Sequence, residues 1–286
     1  MPRPSGAVFQ KALRNTMPTA HQLLAHCGLD LVDARVLLQH AAGVSRAWLI
    51  AHGGDPLPDA AANQFEKLAA RRRAGEPVAY LIGWREFYGR DFAVSPAVLI
   101  PRPDTELLVE LALKHAPRGA RVLDLGTGSG CIPVTLKLER PDLTISAVDI
   151  SLEALAVARN NMLRLDARLR LLASDWFGAL SGERFDLIVS NPPYIDAGDV
   201  HLSRGDLRFE PRNALTDGGD GLAHVRRIVA DAPAHLDAEG WLLFEHGYDQ
   251  GAAARALLDA AGWREVQTWR DLGDNERVSG GRVPQA

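Results

Sequence analysis

Apolar and polar positions divide the chain into three stretches with different periods. In the first, apolar residues from Leu31 to Ala41 follow helical spacing, Thr19 precedes an earlier helical segment as a cap, and Ala60 to Arg73 continues the pattern. Glycines and prolines between residues 53 and 58 separate these segments. Residues 1–74 are therefore predicted to form a small helical bundle.

Residues 75–106 show shorter apolar and aromatic segments. Ala79 to Ile82 and Phe87 to Val94 are punctuated by Gly83 and Gly89. Short segments of this kind, broken by glycine, are typical of paired strands. This stretch is predicted to be a β-hairpin linker.

Residues 107–286 alternate apolar runs of strand length with amphipathic helical segments. The predicted strands are residues 122–125, 144–148, 169–173, 185–190 and 241–244, and the predicted helices are 131–138, 152–163, 222–236 and 252–261. Such alternation predicts an α/β domain with a mainly parallel sheet covered on both faces. The last segments, residues 265–272 and 277–283, can pair as an antiparallel hairpin.

A rigid polar turn, Asn191-Pro192-Pro193-Tyr194, follows the buried run at residues 185–190. Open α/β sheets bind ligands at the carboxyl ends of their strands. Pro192 has no neighbouring N–H donor to compete with its carbonyl, and Asn191 adds a side-chain carbonyl. Two acceptors can therefore converge on one planar NH2 group, and Tyr194 can cover its flat face.

This turn suits methylation of an amide or aryl nitrogen. The lone pair of such a nitrogen is delocalised, so positioning and charge complementarity must supply most of the acceleration. The turn alone does not separate glutamine from adenine. For four residues taken alone, an ordinary proline-rich turn is the competing interpretation.

Three alternating glycines, Gly126, Gly128 and Gly130, follow the predicted strand that contains Asp124. Glycine lets a ligand approach the backbone, and the following helix begins with unpaired N–H groups. The third glycine comes one residue too early for a dinucleotide fingerprint. Asp124 also suits a ligand bearing a cation better than a pyrophosphate, so S-adenosylmethionine is favoured over nicotinamide or flavin nucleotides.

Two further strand ends extend this predicted site. Asp149 stands where such a unit holds ribose hydroxyls, Asp175 can accept from an adenine amino group, and Trp176 can stack on the ring. The predicted cofactor-binding residues are Asp124, Gly126, Thr127, Gly128, Ser129, Gly130, Asp149, Asp175, Trp176 and Asn191.

Motifs along nearly the whole chain resemble those of the bacterial release factor glutamine methyltransferases. They lie at residues 86–89, 98–106, 124–130, 191–194, 209–211, 245–247 and 274–278. The resemblance implies a Rossmann-like class I methyltransferase sheet that uses S-adenosylmethionine. It also implies methyl transfer to the side-chain amide nitrogen (N5) of the glutamine in the Gly-Gly-Gln motif of peptide chain release factors. Asp104 stands where the family more often has glutamate.

The resemblance assigns the reaction to the turn: Asn191, Pro192 and Tyr194 as catalytic residues, and Asn191 to Tyr194 as the substrate-binding segment. Arg102, Glu210 and Glu245 are expected to support the site, although a salt-bridge or core-edge role is an alternative for each. Residues 1–74 are predicted to recognise the protein substrate, and residues 107–286 to form the methyltransferase domain.

Related enzymes remain as alternatives. Ribosomal-protein glutamine methyltransferases share the fold, cofactor and turn, but differ from residues 100–106 of this chain. A DNA or RNA methyltransferase acting on an exocyclic amine would need base flipping and a strongly basic cleft. A nucleotide-dependent oxidoreductase would leave the turn at Asn191 unexplained, and a binding module without turnover would keep only the fold.

Composition narrows the class of protein. The chain has 286 residues, a formal net charge of −4, two cysteines and nine histidines without ligand spacing. We therefore expect a cytoplasmic, monomeric enzyme without a metal, a membrane segment or direct sequence-specific nucleic-acid binding. Arg71, Arg72 and Arg73 form the single basic run, which either complements a helix end or docks a partner.

Overall fold

The computed structural model describes residues 17–285. These residues form two compact units, one ending at Ile82 and the other beginning at Gly83.

The first unit is a bundle of helices, as predicted. The helices are α1 (Ala20–His26), α2 (Leu31–Ala42), α3 (Arg46–His52), α4 (Asp59–Arg73) and α5 (Val78–Ile82). Thr19 and Gln22 form a reciprocal capping box at α1, which satisfies two backbone donors that would otherwise lack partners. Leu37, Leu38 and Phe65 are fully buried and form the centre of the unit's core.

The predicted strand at Ala79 to Ile82 is wrong, because these residues form the short helix α5. The backbone N–H groups of Tyr80 and Leu81 donate to the carbonyl of Pro77, which starts a helical turn. The hairpin is confined to β1 (Trp84–Phe87) and β2 (Arg90–Ala93), which pair antiparallel. Tyr88 and Gly89 both have positive φ, as a tight two-residue hairpin turn requires.

The basic run lies in the last turn of α4, and its guanidinium groups bond within the first unit. Arg71 donates to Glu76, Arg72 donates to Asp33 at 2.7 Å, and Arg73 donates to the carbonyl of Cys27 at 2.6 Å. These contacts favour the interpretation that the three arginines complement the dipole at the end of α4 over the alternative of a docking patch.

A seven-stranded sheet organises the second unit in the order β5-β4-β3-β6-β7-β9-β8. Its strands are β3 (Arg121–Leu125), β4 (Thr144–Asp149), β5 (Arg170–Ala173), β6 (Phe185–Ser190), β7 (Leu236–Glu245), β8 (Arg264–Arg270) and β9 (Glu276–Arg282). The strands from β3 to β7 pair in parallel, whereas β9 runs antiparallel to both β7 and β8. The predicted α/β fold is confirmed.

Helices cover both faces of this sheet. They are α6 (Glu106–His115), α7 (Cys131–Glu139), α8 (Leu152–Arg164), α9 (Ala223–Asp231) and α10 (Gly251–Ala260). Val122 and Leu187 belong to the core cluster that α6 and α7 help to form, whereas Leu123 and Ile188 belong to the cluster on the other face, with α9 and α10. Alternate residues of one strand therefore fill different cores.

The predicted helix at residues 222–236 is shorter than expected. It ends at Asp231, and residues 232–235, which include Pro233, form a single tight turn before β7. Proline lacks the N–H that would continue the helical ladder. Within residues 17–285, no helix has both the length and the apolar character needed to cross a bilayer.

Candidate active site

A cavity of about 410 Å³ lies at the carboxyl ends of the parallel strands in the second unit. Residues after β3, β4, β5 and β6 line it, among them Gly126, Asp149, Asp175 and Asn191. This is the position that ligands occupy in open α/β sheets, and the volume is that of an ordinary small-molecule site.

The structure brings most of the predicted site residues into this lining. They are Gly126, Thr127, Gly128, Ser129, Asp149, Asp175, Trp176, Asn191 and Pro193. Four others are not among the lining residues, although each is within two positions of one in the sequence: Asp124, Gly130, Pro192 and Tyr194.

The glycine loop forms one side of the cavity. Gly126, Gly128 and Gly130 all have positive φ, which other residues adopt only with strain. A Cβ added at Gly130 would lie 3.1 Å from the Cβ of Ala158, so this glycine also lets α7 and α8 pack closely. The loop thus lines the cavity together with the start of α7.

Asp149 holds the glycine loop in place. Its Oδ2 accepts the N–H of Gly128 at 2.8 Å, and its Oδ1 accepts the N–H of Ser151 at 2.9 Å. A carboxylate has further lone pairs, so both oxygens can still accept from ligand hydroxyl groups.

Asp124 is fully buried at the end of β3, and both of its carboxylate oxygens lack a hydrogen-bond partner. Burial, together with the nearby charge of Asp149, raises the pKa of Asp124 to about 7. A buried acceptor without a partner is costly, so such a group usually serves a ligand, an ion or a water molecule. Its charge suits the cationic amino acid end of S-adenosylmethionine.

Trp176 forms another side of the cavity, where it meets a residue that the sequence analysis missed. The Trp176 ring centroid lies 5.1 Å from that of His224, and both side chains line the cavity. Burial lowers the pKa of His224, which favours its uncharged form. Asp175 forms a two-bond ion pair with Arg227 at 2.8 and 2.9 Å. No local pattern marks His224, because only the tertiary fold brings α9 to this wall.

The turn after β6 is held by three hydrogen bonds that involve side chains. The amide Nδ2 of Asn191 donates to Thr105 Oγ1 at 3.1 Å, and the hydroxyl of Tyr194 donates to Glu245 Oε1 at 3.0 Å. Burial is the main reason that the pKa of Tyr194 is raised, so its hydroxyl keeps its proton. The Tyr194 carbonyl also accepts from Gln250 at 2.9 Å.

Part of the cavity lining comes from the segment before α6. Arg102 lines the cavity and pairs with Glu210, whose buried carboxylate also accepts the N–H of Ile100 at 2.9 Å. Asp104 in the same segment pairs with Arg277 of β9 at 3.3 Å. Each of these pairs connects segments far apart in sequence, so the charged residues fix the cavity wall.

Two family models match the chain. Residues 18–83 match the PrmC N-terminal domain, and residues 103–220 match the Methyltransferase small domain. Among solved structures, a methyltransferase from Pyrococcus furiosus covers 75% of this chain with a TM-score of 0.54 at 17% identity, and the match spans 97% of that structure. A 16S rRNA methyltransferase from T. thermophilus, in complex with AdoMet and guanosine, covers 70% of this chain with a TM-score of 0.51 at 22% identity, over 49% of its own length. These likenesses show a shared methyltransferase fold.

Curated relatives match over nearly their full length. The release factor glutamine methyltransferase of Bordetella pertussis is 56% identical over 93% of this chain and 99% of its own length. The enzyme of the same name from Burkholderia pseudomallei is 54% identical over 93% and 96%, and that from Escherichia coli is 48% identical over 88% and 92%. This chain belongs to the release factor glutamine methyltransferase family.

Proposed function

We propose that this chain transfers a methyl group from S-adenosylmethionine to the side-chain amide nitrogen of the Gly-Gly-Gln glutamine in peptide chain release factors. The observation that carries this proposal is the position of Asn191, whose side chain lines the cavity at the end of β6 and is held there by Thr105. The family of the chain supports the substrate.

The residues for the cofactor surround one part of the cavity. The glycine loop at residues 126–130, Asp149 and Trp176 would hold the adenosine end, and the buried charge of Asp124 would attract the cationic amino acid end. When bound, S-adenosylmethionine would supply an electrophilic methyl group on a positively charged sulfur atom, which keeps the electron pair of the broken carbon–sulfur bond and leaves as a neutral thioether.

Asn191 and Pro192 would hold the substrate amide. The Oδ1 of Asn191 and the backbone carbonyl of Pro192 each accept one N–H of the glutamine NH2 group, which fixes the plane of the amide. Tyr194 would pack near this plane and restrict water. Most of the acceleration then comes from orientation and charge complementarity, because the amide nitrogen is a weak nucleophile.

The residues near the turn provide no dedicated base, and none is needed. The nitrogen gains positive charge as it forms its bond to carbon, and its N–H becomes strongly acidic. Asn191 Oδ1 and the Pro192 carbonyl stabilise that charge while the proton is held, and the proton then passes to water.

The remaining assignments concern organisation and partners. We propose that residues 1–74 recognise the release factor, residues 75–106 link the domains and residues 107–286 perform the reaction. The match of residues 18–83 to a PrmC N-terminal domain supports the first assignment. We further propose that the enzyme works as a monomer in the cytoplasm without direct sequence-specific nucleic-acid binding, consistent with its net charge of −4.

Incubation with labelled S-adenosylmethionine and three separate acceptors tests the function. The acceptors are unmodified release factor, a ribosomal-protein mixture and DNA, and peptide mapping locates the label. We expect label on the glutamine of the Gly-Gly-Gln segment. Label confined to ribosomal protein or DNA would refute the substrate.

A further inference from the structure

Two buried residues from outside the catalytic turn contact its side chains. Thr105 is 2% exposed and accepts from Asn191, while Glu245 is 1% exposed and accepts from Tyr194. Thr105 precedes α6 and Glu245 ends β7, so the two come from different parts of the sequence.

The Thr105 hydroxyl has one hydrogen to donate. A hydroxyl group offers one donor and two acceptor positions, and Asn191 already occupies an acceptor position. Glu245 Oε2 is a buried acceptor without a partner. Burial raises the pKa of Glu245. The hydroxyls of Thr105 and Tyr194 and the positive charge of Arg277 oppose this rise. Because these three contacts favour the ionised form of Glu245, its carboxylate offers the Thr105 hydrogen a nearby acceptor.

We propose that Thr105 and Glu245 are positioning residues that set which way the Asn191 amide faces. Glu245 takes the hydrogen of Thr105, so the threonine oxygen can only accept from Asn191 Nδ2. The Oδ1 of Asn191 is then left for the cavity. This inference rests on the proposed function, in which Oδ1 accepts from the substrate amide.

The opposite orientation of the amide would oppose the reaction. If the side-chain amide of Asn191 rotated so that Oδ1 and Nδ2 exchanged places, its NH2 group would face the NH2 group of the substrate. Two donors would then oppose each other. A rotation about one side-chain bond would thus remove an acceptor from the transition state without removing any residue. The buried pair makes this rotation unfavourable.

Substitutions at Thr105 separate positioning from simple packing. Thr105→Val keeps the shape but loses the acceptor, and we expect kcat to fall about tenfold or more, with KM for the release factor and Kd for the cofactor nearly unchanged. Thr105→Ser keeps the hydroxyl and should recover most of the lost turnover. Thr135→Val is the matched control, because Thr135 is a fully buried threonine on α7 whose hydroxyl has no partner.

Glu245→Gln tests the direction of the hydrogen bond. The glutamine can still accept from Tyr194, but its NH2 group would donate to Thr105 and turn the threonine hydrogen toward Asn191 Oδ1. We expect a loss of kcat similar to that of Thr105→Val, with thermal melting and cofactor binding close to wild type.

A double-mutant cycle decides whether Thr105 acts through Asn191. In the Asn191→Ala background, Thr105→Val should lower kcat by less than about twofold, because the group it orients is gone. Full additivity of the two losses, or normal kcat for Thr105→Val alone, would overturn the inference. Methylation of the release factor by the wild-type protein is measured in parallel. A wild-type protein that does not methylate it would contradict the proposed function, and this result is distinct from a failure of the positioning inference.

Discussion

Asn191 serves two partners at once, because its nitrogen bonds the protein and its oxygen is left for the substrate. The Nδ2 contact with Thr105 is made within the protein, so it can orient the side chain before a substrate binds. Orientation in advance spares the reaction the cost of ordering this group in the transition state.

Asn191→Ala should lower turnover by roughly a hundredfold or more, since an oriented transition-state acceptor is lost. Steady-state methylation of release factor measures this change, and calorimetry should show cofactor affinity near the wild-type value. Asn160→Ala on the exposed face of α8 is the control. Near-normal turnover of the Asn191 variant would remove this residue from the mechanism.

Asp124 illustrates a conflict between stability and binding. Its folded-state pKa of about 7 lies above the value of 3.8 for the unfolded chain, so the ligand-free fold is favoured at low pH and loses stability as the pH rises toward 7. Asp124→Asn should therefore stabilise the ligand-free protein at pH 8 by on the order of 4 kcal/mol and weaken cofactor binding.

Denaturant unfolding at pH 5 and pH 8 measures the Asp124 effect. The increase in the free energy of unfolding caused by Asp124→Asn should be smaller at pH 5, because the wild-type carboxyl is largely protonated in the folded protein at that pH. Asp91→Asn on the exposed edge of β2 should give no comparable gain at either pH. An equal gain at both values would show that packing, and not ionisation, causes the change.

At the scale of elements, the loop before α9 packs against the catalytic turn. A Cβ added at Gly221 would lie 2.1 Å from the carbonyl oxygen of Tyr194, and Gly221 has a positive φ. The same carbonyl accepts from Gln250 at the start of α10. Two elements therefore fix the backbone of the turn from outside the cavity.

Gly221→Ala should displace the Tyr194 backbone and lower kcat by about tenfold or more. Gly218→Ala is a matched control in the same loop, because Gly218 also has positive φ but a Cβ there would meet open space. Both substitutions place alanine at a positive φ, but only Gly221→Ala also brings a Cβ against the Tyr194 carbonyl. Similar turnover in the two variants would contradict this account.

The end of α6 places a histidine among aromatic rings. The His115 ring centroid lies 4.1 Å from that of Trp241 and 5.7 Å from that of Trp269, and its buried Nε2 lacks a partner. Burial lowers the pKa of His115, so the fold prefers the neutral ring and loses stability as the pH falls below about 6.5.

His115→Phe should reduce the drop in melting temperature between pH 7 and pH 5. Thermal unfolding of both proteins at several pH values measures this difference. His26→Phe, at an exposed position in the last turn of α1, should leave the wild-type drop unchanged. Identical pH profiles for wild type and His115→Phe would show that other groups cause the loss.

The sequence predicted the elements whose pattern is local and repeated. The strands β3, β4 and β6 and the helices α7 and α8 follow from apolar periodicity and flanking glycine. The helix α5 was missed because five residues contain too few turns to show a helical period. Contacts such as Thr105 with Asn191 join residues 86 positions apart, so no local pattern contains them.

At the scale of the whole molecule, the cavity belongs entirely to the second unit. All the residues that line it lie between Ala97 and His224, while the first unit has its own core around Phe65. A ligand stabilises the state that binds it by about 2.7 kcal/mol at a hundred times its Kd.

Hydrogen exchange with saturating S-adenosylmethionine should therefore slow most in the strands and loops around the cavity. Amides in α2 and α4 should change less, because these helices belong to a separate core. Mass spectrometry of proteolytic peptides measures both regions in one sample. Equal slowing in both units would show that their stabilities are linked.

The position of β9 inside the sheet has a consequence for synthesis of the protein. β9 is the last strand of the described chain, yet it lies between β7 and β8 and carries Arg277 to Asp104. A ribosome therefore releases every other strand before the sheet can close. Until then β7 presents an unpaired apolar edge, which invites aggregation. A nonsense codon after β8 would leave all the residues that line the cavity encoded, but the product would be prone to precipitate rather than partly active.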